Sequence, residues 1–225
     1  MVDIKTFPYL CFVRFDLPNK AFDRQFNTYF DDHIQELANR PGYSTAWRTK
    51  ELRGADFNYN EGVMEQEYQQ IYAISDPALF QSFPSNPPPP VMEKEPWRRD
   101  LTNWGRVFYK VLSMVEKDNR AGRCWARCEY HFRGADEARF QSDNAQHLKR
   151  VMELPGIHRA WQLQHALHAS QIGPDPAGKY MNMFEADVPE NLFDRLGEER
   201  PPLKAGQEFV GRHFALLLLK ADPQR

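Results

Sequence analysis

The stretch HIQELANRPGYSTAWR, residues 33–48, returns as HLKRVMELPGIHRAWQ at residues 147–162, aligned without a gap. His33 pairs with His147, Pro41 with Pro155, Gly42 with Gly156, Ala46 with Ala160 and Trp47 with Trp161, at a constant offset of 114 (147 minus 33). Upstream, CFVRF from Cys11 matches CEYHF from Cys128, pairing Arg14 with His131. Downstream, EYQQIYAISDPALF from Glu67 matches KYMNMFEADVPENLF from Lys179, and WGRVF from Trp104 matches VGRHF from Val210, pairing Arg106 with Arg212. Four blocks in the same order mark an internal repeat, which decides the fold before any single element is assigned.

Each copy has the same grammar. Residues 9–15 and 124–132 are β-branched or aromatic and predict a strand, followed by a helix that ends at Pro-Gly. A strand around Trp47 or Trp161 and a second at 67–74 or 179–186 come next. Asp76-Pro77 and Val188-Pro189 open a short helix, proline suiting a helix's first turn, and last strands run over 105–115 and 211–220. The order βαββαβ, twice, predicts an α+β fold of two ferredoxin-like repeats, residues 1–118 and 119–225, each with its helices on one sheet face. The bare face of each sheet must be covered, so the repeats are expected to pack sheet to sheet as an α/β barrel within one chain. The first repeat also carries an insertion at 83–104 with four consecutive prolines, which favour polyproline II. Trp97 within it is a candidate lid contact over a ligand entrance.

The 225 residues, 41% hydrophobic and 27% charged, describe an ordinary globular chain able to build a core. A net charge of −2 without a basic block lacks the footprint of phosphate-backbone binding, so nucleic acid is not an expected partner. The longest apolar run, Phe214 to Leu219, is strand-sized, well short of the roughly 20 residues that span a bilayer. With an early Asp3 and no long apolar leader, no secretory signal is expected and the location is read as cytoplasmic, as a monomer or homodimer. Cys124 and Cys128 stand four residues apart on a strand, about 13 Å, too far for a disulfide.

On the first helix, spanning 21–37, Phe22, Phe26, Phe30 and Leu37 trace the buried face, with His33 on the same stripe. The second helix repeats this as Phe140, Asn144, His147 and Val151. An imidazole facing a core is expected to be neutral and hydrogen-bonded. The halves are unequal: six of the seven histidines lie in the second, and Asp143, where the first half has Tyr29, is spaced i,i+4 from His147 to orient its ring. Strand alternation places Ile157, Arg159, Trp161 and Leu163 on one face and His158, Ala160 and Gln162 on the other. Arg127, Glu129 and His131 share a face expected to enter the barrel lumen. Tyr68 with Gln70, and Tyr180 with Asn182, form a matching polar pair in each half.

His, seven residues, then Pro-Gly before a strand resembles the motif of EthD-like proteins and related dimeric α/β-barrel families, although Gln35 and Lys149 stand where that family has proline. The resemblance implies the barrel fold and a pocket between sheet and helices that in relatives handles aromatic or polyketide-like molecules. Those relatives include isomerases, cyclases, cofactor-free monooxygenases and haem enzymes.

The sequence-based expectation is a cofactor-independent lyase, isomerase or cyclase acting on a small aromatic or apolar molecule in catabolism or secondary metabolism. His147 is its acid or base, working near the normal imidazole pKa. His158 and Tyr180 are donors and Asp143 the orienting carboxylate. Asn144, Trp161, Arg212, His131, Asn182 and Trp97 bind substrate. His33, Trp47 and Tyr68 form a vestigial pocket in the first half, filled by apolar side chains. No metal site is expected, since no paired Cys-x-x-Cys or His-x-His occurs. The alternatives are a haem-binding protein or cofactor-free oxygenase on the same barrel, or a non-catalytic small-molecule binder.

Overall fold

The computed structural model describes residues 3–51, 68–81, 101–117, 122, 124–130, 136–173, 176, 179–187 and 214–220. In chain order the elements are β1 (Tyr9–Asp16), α1 (Asp23–Ala38), β2 (Tyr43–Glu51), β3 (Tyr68–Ile74), β4 (Thr102–Glu116), β5 (Cys124–Tyr130), α2 (Glu137–Val151), β6 (Ile157–His165), β7 (Tyr180–Ala186) and β8 (Phe214–Lys220). The protein is α+β. Its strands form one curled antiparallel sheet that closes in the order β1-β3-β2-β8-β5-β7-β6-β4. The first four strands lie side by side as β4-β1-β3-β2 and the last four as β8-β5-β7-β6.

Closure uses the edges as well as the faces. β2 hydrogen-bonds β8 from Arg48↔Lys220 to Glu51↔Leu217, and β4 hydrogen-bonds β6 from Tyr109↔His165 to Glu116↔Arg159. Each joint satisfies an edge that an open sheet would leave bare.

The sheet therefore has an inner and an outer face, both buried. Inside, Trp47, Trp125 and Trp161 pack together, with ring centroids 5.1 Å apart for Trp47–Trp125 and 5.2 Å for Trp125–Trp161. Outside, α1 lays Phe26, Phe30, Ile34 and Leu37 on one half, and α2 lays Phe140, Asn144, His147, Leu148 and Val151 on the other. β3 and β7 are buried along their whole length. The strand–helix joints turn at Gly42 (φ +87°) and Gly156 (φ +80°), a left-handed conformation that explains the recurrent Pro-Gly.

Several local expectations are corrected. The helix predicted from residue 21 starts as a 3-10 turn, Lys20–Phe22, before α1 proper. The one predicted at Asp76-Pro77 is a 3-10 turn, Pro77–Phe80, capped by Asp76. β4 begins at Thr102, so the end of the predicted insertion is strand. Ile157 does not share a face with Trp161: a register shift between Ile157 and Arg159 turns it out toward α2, where it packs with Leu148 and Val151. Residues 82–100 and the helix expected at Val188-Pro189 lie outside the described residues. Among the described residues no helix is long and apolar enough to cross a membrane.

Candidate functional site

Helix α2 is capped by the Asp136 carboxylate, which accepts from the Arg139 amide at 2.8 Å, and ends in Lys149 and Arg150, which complement its C-terminal dipole. Its inner face is polar at the centre. Asn144 and Asn182 exchange two buried amide hydrogen bonds, both 2.9 Å, tying α2 to β7. One turn earlier, the Gln162 amide donates to Gln141, and the Ser113 hydroxyl donates to Gln162 at 3.2 Å. One turn later comes His147, 1% exposed. Burial, reinforced by the Arg150 charge, pushes its imidazole down to about 4, so it is uncharged at neutral pH.

This corrects two expectations. A general base with a near-normal pKa is not what burial makes of His147. Asp143 does not orient it: the carboxylate is 39% exposed and faces Arg139 at 3.9 Å on the outer side of the helix. Sequence spacing alone cannot separate residues i and i+4 when one is turned inward and the other lies at the rim.

The remaining candidates are dispersed. His158 is buried and its Nε2 lies 2.7 Å from Asp187 Oδ1, at the start of β6. Tyr180 is buried beside Phe140 (centroids 6.4 Å) at the opposite end of β7, six strand steps or about 20 Å from Ala186, which pairs with Ile157. Trp161 and Trp47 project into the lumen, across the sheet from His147. His33 is half-buried at the rim of α1, stacked on Tyr29 at 5.4 Å, because Ile34 takes the inward position. Tyr68 donates its hydroxyl to Asp23 at 2.5 Å. His131, Arg212 and Trp97 lie outside the described residues. The structure thus brings together His147, Asn144 and Asn182. Arg127 does reach the lumen, where its guanidinium donates to Gln69 at 2.7 Å.

The two outer faces differ in content. Over the first half, Phe15, Phe26, Phe30 and Tyr68 form a continuous aromatic cluster, and Arg48 is held by Asn27 and Asp31. Over the second, Asn144 replaces Phe30, and Ala160 and Ala186 leave small side chains on the strands that face α2. Among the described residues, no three His, Cys, Asp or Glu side chains gather as a metal-binding group.

No family model matches the chain and no curated protein matches it in sequence. Solved structures do match. An anthrone oxidase-like protein superposes with a TM-score of 0.62 at 7% identity, over 98% of this chain and 94% of that one. A mutant chlorite dismutase from Candidatus Nitrospira defluvii, in complex with cyanide, gives 0.61 at 12% identity over 100% and 97%. A heme-binding protein from Thermus thermophilus gives 0.57 at 10% identity over 96% and 92%.

At these identities the likeness is one of fold: the chain has the ferredoxin-like α+β architecture of chlorite dismutase-like and monooxygenase-like proteins. The narrower EthD-like resemblance has only its helix-turn-strand block behind it. The expectation of a site without cofactor is corrected, because haem-binding proteins share this fold over nearly the whole chain. The residues at α2 fit such a group in one respect that can be read directly. His147 has a buried imidazole in its uncharged form, the form that binds a metal, on a helix that packs against Ile157, Ala160, Phe184 and Ala186 of the sheet.

Proposed function

We propose that the chain is a haem-binding redox or oxygen-handling protein, built as a tandem duplicate with halves at 1–118 and 119–225, whose working site lies between α2 and the second half of the sheet. One observation carries the reading: the repeated histidine is fully buried and uncharged at 147, but half-buried at the rim at 33. In this reading His147 would hold the haem iron, and Asn144 and Asn182 would fix the helix that presents it. Haem bound there would supply a redox-active iron. The depressed imidazole pKa counts against the lyase or isomerase reading, because proton transfer at neutral pH is served best by a group titrating near 7.

The test is titration of the purified protein with haemin. We expect a Soret band that saturates at one equivalent per chain in the wild type and in His33→Ala, and that is shifted or lost in His147→Ala. An unchanged spectrum in His147→Ala would remove that residue as the ligand, and absence of any saturable band would remove haem.

A further inference from the structure

The sequence pattern leaves the first half only a vestigial, apolar-filled pocket. Its outer face instead contains a buried cation beside two buried groups that lack a hydrogen-bond partner among the described residues. Arg106, on β4, is 5% exposed. Among the described residues its guanidinium makes one long hydrogen bond, 3.5 Å, to the Phe80 carbonyl, and no carboxylate pairs with it. Its guanidinium instead stacks on the Phe80 ring, 5.0 Å from the centroid.

The Tyr43 hydroxyl and the Gln70 amide nitrogen are buried without a hydrogen-bond partner among the described residues. The three belong to one neighbourhood. Arg106, Val13 and Gln70 lie in one row across β4, β1 and β3. The Tyr43 ring is 6.0 Å from Phe80 and 6.2 Å from Tyr72, and the Tyr72 hydroxyl is spent on the other end of the Gln70 amide.

We infer that the first half carries a ligand site of its own, in which Arg106, Tyr43 and Gln70 receive an organic anion with a flat apolar body, of the class of aromatic carboxylates or enolates. A buried cation without a counter-charge is costly, and a buried hydroxyl or amide left unmade costs about 1–3 kcal/mol. All three groups are relieved by one acceptor that carries negative charge. The neighbouring groups do not supply it. Burial pushes the Cys11 thiol and the Tyr43 phenol upward, the latter to about 12, so both stay protonated. The surroundings select the rest of the ligand: Phe80, Tyr43, Tyr72 and Phe108 put aromatic surface around these groups, which suits a flat ring.

The cation is also held in place. The Arg106 backbone exchanges two hydrogen bonds with Ile172, both 2.9 Å, and Ala166 donates to Phe108 at 2.8 Å, so the segment after β6 clamps β4 at this site. That clamp makes the first-half site dependent on the second half of the chain. The signal in the sequence was the WGRVF/VGRHF match, which pointed to Arg212 but applied equally to Arg106.

Calorimetry with naphthoate, uncharged naphthamide and inorganic phosphate tests this on the full chain. Naphthoate should bind saturably. Naphthamide, phosphate, and naphthoate with Arg106→Gln should each be weaker by at least about tenfold, with Tyr43→Phe intermediate. Without ligand, Arg106→Gln and Tyr43→Phe should melt no lower than wild type, because the first removes a buried charge without a carboxylate partner and the second an unsatisfied hydroxyl. The haemin response should be unchanged in both. No naphthoate binding, equal binding of naphthamide or phosphate, undiminished binding by Arg106→Gln, or a lowered melting temperature in both variants would overturn the assignment.

Discussion

At position 147 an imidazole sits 1% exposed beneath α2, whereas its repeat mate His33 stacks on Tyr29 at the rim of α1. Recurrence drew attention to both residues; neighbours decided what each became. The difference has a measurable consequence for the haem-free protein. His147 is held at about 4 when folded and has a reference value of 6.5. Between those limits the unfolded chain takes up a proton that the folded chain refuses, so stability falls as pH drops from 6.5 toward 4, by at most ~3 kcal/mol. Urea unfolding at neutral pH and near pH 4.5 should show this loss in wild type and a smaller one in His147→Leu. Equal losses would place the sensitivity elsewhere. Asp143 teaches the complementary point. Its i,i+4 spacing from His147 was legible, but side-chain direction was not, and the carboxylate went to Arg139 at the surface.

Among the elements, the two Pro-Gly joints were the easiest to read and are the most constrained. At Gly42, φ is +87°, and an added Cβ would come within 2.8 Å of Leu79 Cδ1 and 3.1 Å of Ser75 Oγ. Gly42→Ala is therefore expected to destabilise by about 1–3 kcal/mol, lowering the melting temperature by several degrees, with the haemin response retained. A melting temperature equal to wild type would show that the joint relaxes freely. Strand alternation was legible at Arg127, which points inward as expected; Trp125 lies on the same face and Cys124 on the opposite one, in the core under α2. It was misread at the start of β6, because a bulge changes the phase of alternation and is set by pairing with β7 rather than by local sequence.

For the whole molecule, closure means that neither half owns the lumen. Trp47 comes from the first half and Trp125 and Trp161 from the second. Arg159 on β6 is bonded by Glu116 on β4 and Glu185 on β7, a buried charge network that crosses the same joint. Thermal unfolding followed by tryptophan fluorescence and by far-UV circular dichroism should thus give one coincident transition. Trp125→Ala should lower it by about 3–5 kcal/mol without splitting it, and two separate transitions would show that the halves fold independently. The repeat, the order of the described strands with α1 and α2, and the Pro-Gly turns were all determined by the sequence itself, since they follow from local periodicity and from comparing the chain with itself. Tertiary structure alone decided that Trp47 and Trp161 fill the lumen, that His147 is uncharged, and that Arg106 is buried without a carboxylate partner among the described residues. Burial, desolvation and hydrogen-bond satisfaction are properties of what surrounds a side chain, and those surroundings come from strands distant in sequence.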